Sequence, residues 1–121
     1  MKIKHTRQEW VDLAVKGLAS QGWKQSITLG EWPSCAYRGE NGCRCAIGWG
    51  IPDKAYHPSM EGHGAHLYAT VSDALLVDGD RFLSQLQGVH DDHADPQAME
   101  AAMRTFVQLR QLTWPQESPT T

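Results

Sequence analysis

The stretch S34-C35-A36-Y37-R38-G39-E40-N41-G42-C43-R44-C45-A46-I47-G48-W49-G50-I51-P52-D53 carries all three cysteines of the chain, packed between positions 35 and 45. It admits three readings: a metal site, a nucleophile with its surroundings, or a β-hairpin whose inner face is lined by thiols. Residues 34–38 and 43–47 flank Gly39-Glu40-Asn41-Gly42, a strong turn signal because Asn and Gly accept positive φ. A turn centred there makes odd-numbered positions face one another. Cys35, Tyr37, Cys43, Cys45 and Ile47 then share one face, and Arg38 and Arg44 occupy the other. The pattern therefore predicts a central β-hairpin with thiols inward and arginines outward.

Helical patterns lie on both sides of this stretch. Upstream, Thr6 followed three residues later by Glu9 is a capping-box signature. Trp10, Val11, Ala14, Val15, Leu18 and Ala19 continue at helical spacing, and Gly22 suits a left-handed stop. Residues 23–33 connect this helix to the hairpin, with a short strand expected around residues 26–29. Downstream, residues 57–64 read as an irregular loop punctuated by Pro58, Gly62 and Gly64. Leu67, Tyr68, Val71, Leu75 and Leu76 suggest a helical segment ending near Gly79. Asp80 is placed to cap the next helix, whose Phe82, Leu86, Val89, His90 and His93 form one stripe. Asp95-Pro96 marks a further helix start, with Met99, Ala102, Met103, Phe106 and Leu109 as its apolar face. The expected fold class is α+β: a single small domain over residues 1–112 with an N-terminal helix, a central β-hairpin and three C-terminal helical segments. Residues 113–121 read as a frayed tail, with Trp114 placed to tuck back.

Composition narrows the class of partner. A chain of 121 residues with a formal net charge of −3 has no basic footprint for nucleic acid or a membrane surface. No apolar run approaches the ~20 residues of a transmembrane helix. The N-terminus lacks the apolar stretch of a signal peptide, so reduced thiols in a cytoplasm are expected.

Several chemistries can be set against the residues. Cys35, Cys43 and Cys45 plus a histidine could bind zinc, but C-x7-C-x-C departs from the usual C-x2-C pairs. A disulfide between Cys35 and Cys45 is conceivable across the hairpin, though it needs an oxidising compartment. Buried free thiols acting as small hydrophobes are the plain alternative. As an enzyme, the chain would use Cys45, its pKa lowered by a following helix start, with His90 and Asp91 or Asp92 completing a cysteine–histidine–acid set. His90-Asp91 with His57, His63 or His66 also resembles a metal phosphohydrolase pairing, but no downstream aspartate follows Asp95. Neither a phosphate-cradling loop nor a dinucleotide fingerprint is present, and no cofactor is expected. For binding, the loop carrying Tyr56, Met60, Glu61, His63 and His66 is the best candidate surface, with Glu61 paired to the hairpin arginines as the competing role.

As a whole string, Cys35-Ala-Tyr37-Arg38-Gly39, Gly42, Cys45-Ala-Ile-Gly48, Ile51-Pro52-Asp53, Tyr56 and Met60-Glu61-Gly62 resemble a family of small proteins of tailed phages, prophages and their bacterial hosts. The likeness continues through Phe82-Leu83, Leu86-Gln87 and His90-Asp91, covering most of residues 7–93. Gly50 departs from the apolar residue usual before Ile-Pro-Asp, and Cys43 stands where the family has a non-cysteine residue. The resemblance implies a mobile-element accessory protein and brings no reaction with it. The expectation is a protein of the bacterial host cytoplasm that binds and modulates a host component, such as a defence system. A small hydrolase and a zinc-stabilised module are the alternatives.

Overall fold

The computed structural model describes residues 5–28, 34–54, 56–57, 61 and 82–115. Three helices dominate them: α1 (Arg7–Ser20), α2 (Phe82–Asp91) and α3 (Pro96–Leu109). Helix α1 starts as the sequence predicts. The Thr6 hydroxyl accepts from the Glu9 amide at 3.1 Å, and the Glu9 carboxylate accepts from the Thr6 amide at 2.9 Å. It stops in a Schellman turn, where Trp23 N donates to Leu18 O at 2.8 Å and Gly22, at φ +70°, takes the left-handed position. Helix α3 begins with the Asp95 side chain accepting from the Ala98 amide at 2.9 Å, with proline in the first turn. The segment expected around residues 67–76 lies outside the described residues.

The core gathers one face from each helix: Trp10, Val11, Ala14, Val15 and Leu18 of α1, Phe82, Leu83, Leu86 and Val89 of α2, and Met99, Met103, Phe106 and Val107 of α3. Tyr37, Cys45, Ala46, Ile47 and Ile51 join it from the cysteine stretch. Gly17, in the middle of α1, leaves room for the Trp49 indole, and any Cβ there would collide with that ring.

The fold is mostly helical, and the predicted α+β architecture with a central β-hairpin is corrected. Among the described residues the one ladder has two residues on each side and joins β1 (Ile27–Thr28) to β2 (Ser34–Cys35), with Ile27 opposite Cys35. Cys35 therefore pairs upstream with Ile27 and not with Cys45. Between the two arms of the expected hairpin only one bridge forms, Arg38 with Arg44, closed by a bond from Gly39 N to Cys43 O at 2.9 Å. The turn itself is as expected, with Asn41 and Gly42 both at positive φ.

Side chains have taken the groups a ladder would need. The Tyr37 and Arg38 amides donate to the Glu61 carboxylate at 2.8 and 3.1 Å. Gln21 brackets Arg44, accepting from its amide at 3.0 Å and donating to its carbonyl at 3.0 Å. The Ile47 amide donates to Gln87 at 3.2 Å. With its amides spent in this way, the second arm coils into a 3-10 turn at Gly48–Gly50.

Thr113, expected to open a frayed tail, exchanges two hydrogen bonds with the Gln8 side chain at 2.7 and 2.9 Å. Trp114 stacks on Trp23 with ring centroids 6.2 Å apart. Among the described residues no helix is long and apolar enough to cross a membrane.

Candidate functional site

Ser26 and His90 form the centre of a buried polar network linking the cysteine stretch to the end of α2. Both are 0% exposed, and they are the only polar or charged residues among the buried described ones. Ser26 N donates to His90 Nε2 at 2.7 Å, Ser26 O accepts from the Ala36 amide at 2.9 Å, and Ser26 Oγ donates to Cys43 O at 3.1 Å. Because Nε2 accepts a backbone N–H, the ring proton resides on Nδ1, which donates to Asp91 Oδ1 at 2.7 Å. Gln25 closes the end of α2 by donating to the carbonyls of His90 and Asp91.

Asp91 also accepts from the Cys35 thiol, so Cys35, His90 and Asp91 bring ligand atoms within 4.8 Å of one another. This is neither the zinc set proposed from spacing nor the proposed nucleophile. Cys43 and Cys45 do not belong to the cluster, and both imidazole nitrogens are already engaged, by the Ser26 amide and by Asp91. Binding a metal at Nδ1 would move the ring proton to Nε2, opposite the Ser26 amide, and turn a buried hydrogen bond into a clash of two donors. The arrangement fits a proton held between His90 and Asp91. His93, at the end of the α2 stripe, donates from Nδ1 to Val89 O at 2.9 Å and caps α2.

All three cysteines are free. Burial, with added repulsion from Asp91 and a hydrogen bond donated to it, pushes the Cys35 thiol up to about 11. Cys45 is 0% exposed, and burial pushes its thiol up to about 12 against the opposing hydrogen bonds of Gln87 and of the Gly48 amide, the latter 3.2 Å from the sulfur. The turn that follows Cys45 thus does not lower its pKa as the nucleophile reading requires, because desolvation outweighs the amides.

The loop proposed for binding is partly described. Tyr56 and Glu61 are held together: Tyr56 OH donates to Glu61 Oε2 at 2.6 Å, and burial and this carboxylate raise the phenol to about 12. Glu61, bonded also to the amides of Tyr37 and Arg38, serves as a brace for the cysteine stretch. Met60, His63 and His66 lie outside the described residues.

The two arginines expected on the outward face are largely covered, with side chains 24% and 30% exposed for Arg38 and Arg44. Arg38 and Arg44 are cross-bridge partners, each over an aromatic ring, and both approach Asp53. Their equal spacing from Asn41 was the available signal, since any turn centred on that residue sets them opposite one another. Nothing comparable points to Ser26 or Gln21, whose partners are remote in sequence.

Comparison with family models, curated proteins and solved structures returned no match to this chain.

Proposed function

We propose that the chain is a binding protein of mobile-element origin that acts in the bacterial cytoplasm by docking on and modulating a host component, such as part of a defence system. The observation that carries this reading is the state of Cys45: fully enclosed, with its thiol pushed up to about 12, it has no access to a substrate and no thiolate to offer near neutral pH. His90 and Asp91, the other candidates for chemistry, spend their facing atoms on each other, on Ser26 and on Cys35. The motif that carries the phage-family resemblance therefore acts as a scaffold, and what it presents outward is a surface.

The test is affinity capture from bacterial host lysate on the immobilised full chain, with zinc measured on the same preparation. Stoichiometric retention of one host protein by wild type and by folded Cys45→Ala is the expected result. A folded Cys45→Ala that loses the biological effect, or stoichiometric zinc whose removal unfolds the chain, overturns the reading.

A further inference from the structure

The outward side of the cysteine stretch holds a charge arrangement that folding alone does not favour. The single bridge sets Arg38 directly against Arg44, and like charges facing each other across a pair of strands are destabilising. Each guanidinium is backed by a ring, Arg38 lying 4.3 Å from the Tyr56 centroid and Arg44 5.0 Å from that of Trp49. The rings are themselves anchored, Tyr56 by Glu61 and the Trp49 indole N–H by Gln21 at 3.1 Å. Two cations thus stand side by side on braced aromatic supports, so little side-chain freedom remains to be lost when a ligand arrives.

Both approach one acceptor, Asp53 Oδ1, at 2.8 Å from Arg38 and 3.8 Å from Arg44. The longer distance is not a hydrogen bond, and the Asp53 side chain is 83% exposed against 24% for Arg38 and 30% for Arg44, so the carboxylate meets the pair from the solvent side. Arg38 has one further acceptor, Ile51 O at 3.2 Å, while its Nε is enclosed without a partner among the described residues. Glu61, the other nearby carboxylate, is committed to two amides and a phenol. Among the described residues, one exposed carboxylate therefore answers two guanidiniums.

We propose that Arg38 and Arg44 form a carboxylate clamp that docks an acidic segment of a partner protein, with Asp53 occupying the clamp until the partner displaces it. This rests on the binding reading above and assigns its contact. Planar carboxylates match the forked donors of arginine, and Asp53 already shows the geometry in a half-made form. An intramolecular carboxylate also screens the pair from free anions, which favours a ligand presenting several acidic side chains at once.

The probe is an acetylated glutamate hexapeptide titrated into the full chain, followed by heteronuclear NMR at the Trp49 indole and the two guanidiniums. Inorganic phosphate and a lysine hexapeptide are the parallel arms. The glutamate peptide should shift all three signals, and added salt should weaken it. Removing the competing charge in Asp53→Asn should tighten binding about fivefold, and Arg44→Gln should weaken it about tenfold. Arg44→Gln is the informative loss because that side chain contacts only Trp49 and Asp53 among the described residues, and an unchanged melting temperature certifies its fold. Peptide binding indifferent to both substitutions, or phosphate saturating the signals at lower concentration than the peptide, overturns the clamp. Capture of a host protein that survives Arg44→Gln removes this inference and leaves the binding reading standing. Clamp-dependent peptide binding with no host protein captured keeps the clamp and removes that reading.

Discussion

The two sides of residues 34–53 are built on opposite terms. Inward, Cys45, Ala46, Ile47 and Ile51 are sealed into the core, while Ser26, His90 and Asp91 satisfy one another around Cys35. Outward, two arginines share one exposed carboxylate. Residues that look reactive in the sequence are neutralised by burial and hydrogen bonding, and residues that look merely solvated carry the unmet charge. A polar group's availability is set by what its neighbours have already taken from it.

The largest effect that can break this contrast comes from alkali. A thiol whose folded value is raised stabilises the fold below its ordinary value of 9.0 and loses that contribution as pH climbs through the folded value. For Cys35 and Cys45 the window runs from about 9 to about 12, so a pH series of chemical melts should show stability falling across it. Cys45→Ala should make that fall shallower, while Tyr56, raised from 10.0 to about 12, keeps part of it in place. A profile unchanged by that substitution would mean the thiol is not sealed as described.

Next comes the backbone approach that seats the inward side. A Cβ on Gly48 would run into the Tyr37 carbonyl, which belongs to the main chain and cannot swing away. Gly48→Ala should therefore cost about 3 kcal/mol, the upper part of the usual overpacking range. Calorimetry showing a loss below about 1 kcal/mol would place the turn elsewhere.

His90→Ala should cost about 2 kcal/mol, because it strands the Ser26 amide in a buried site. The matching outward change, Arg44→Gln, should cost less than about 1 kcal/mol, since it loses one ring contact and one long ion pair to an Asp53 side chain that is 83% exposed. Denaturant midpoints of the two variants sharpen the comparison directly. Equal losses would erase it.

Much of the helical part was legible in the sequence because its signals are local. Thr6 with Glu9, Gly22, and Asp95 with Pro96 each mark a helix end through partners no more than a few residues away. The end of α3 was less visible: Gln111 takes the left-handed position at φ 58°, a place where sequence reading expects glycine or asparagine. The hairpin was misjudged for a different reason. Alternation along residues 34–47 reports which side chains are apolar, and the Asn41-Gly42 turn is real, but ladder formation depends on free amides. Those of Tyr37 and Ile47 are bonded to Glu61 and Gln87, 24 and 40 positions away in the chain. The same distance hid the Ser26–His90 bond, which joins residues 64 positions apart. The burial of Cys45, which weighs against its alternative reading as a nucleophile, is likewise not encoded in residue spacing.

The central claim is that the cysteine stretch is a scaffold, and per-site alkylation tests it most directly. Native protein is pulsed with iodoacetamide near neutral pH and the modified peptides are mapped by mass spectrometry, alongside chain unfolded in urea. Cys45 should stay unmodified until the protein unfolds, and Cys35 should react more slowly than in the unfolded chain. Labelling of Cys45 or Cys35 in the native protein faster than in the unfolded chain would reveal an activated thiolate and contradict the account.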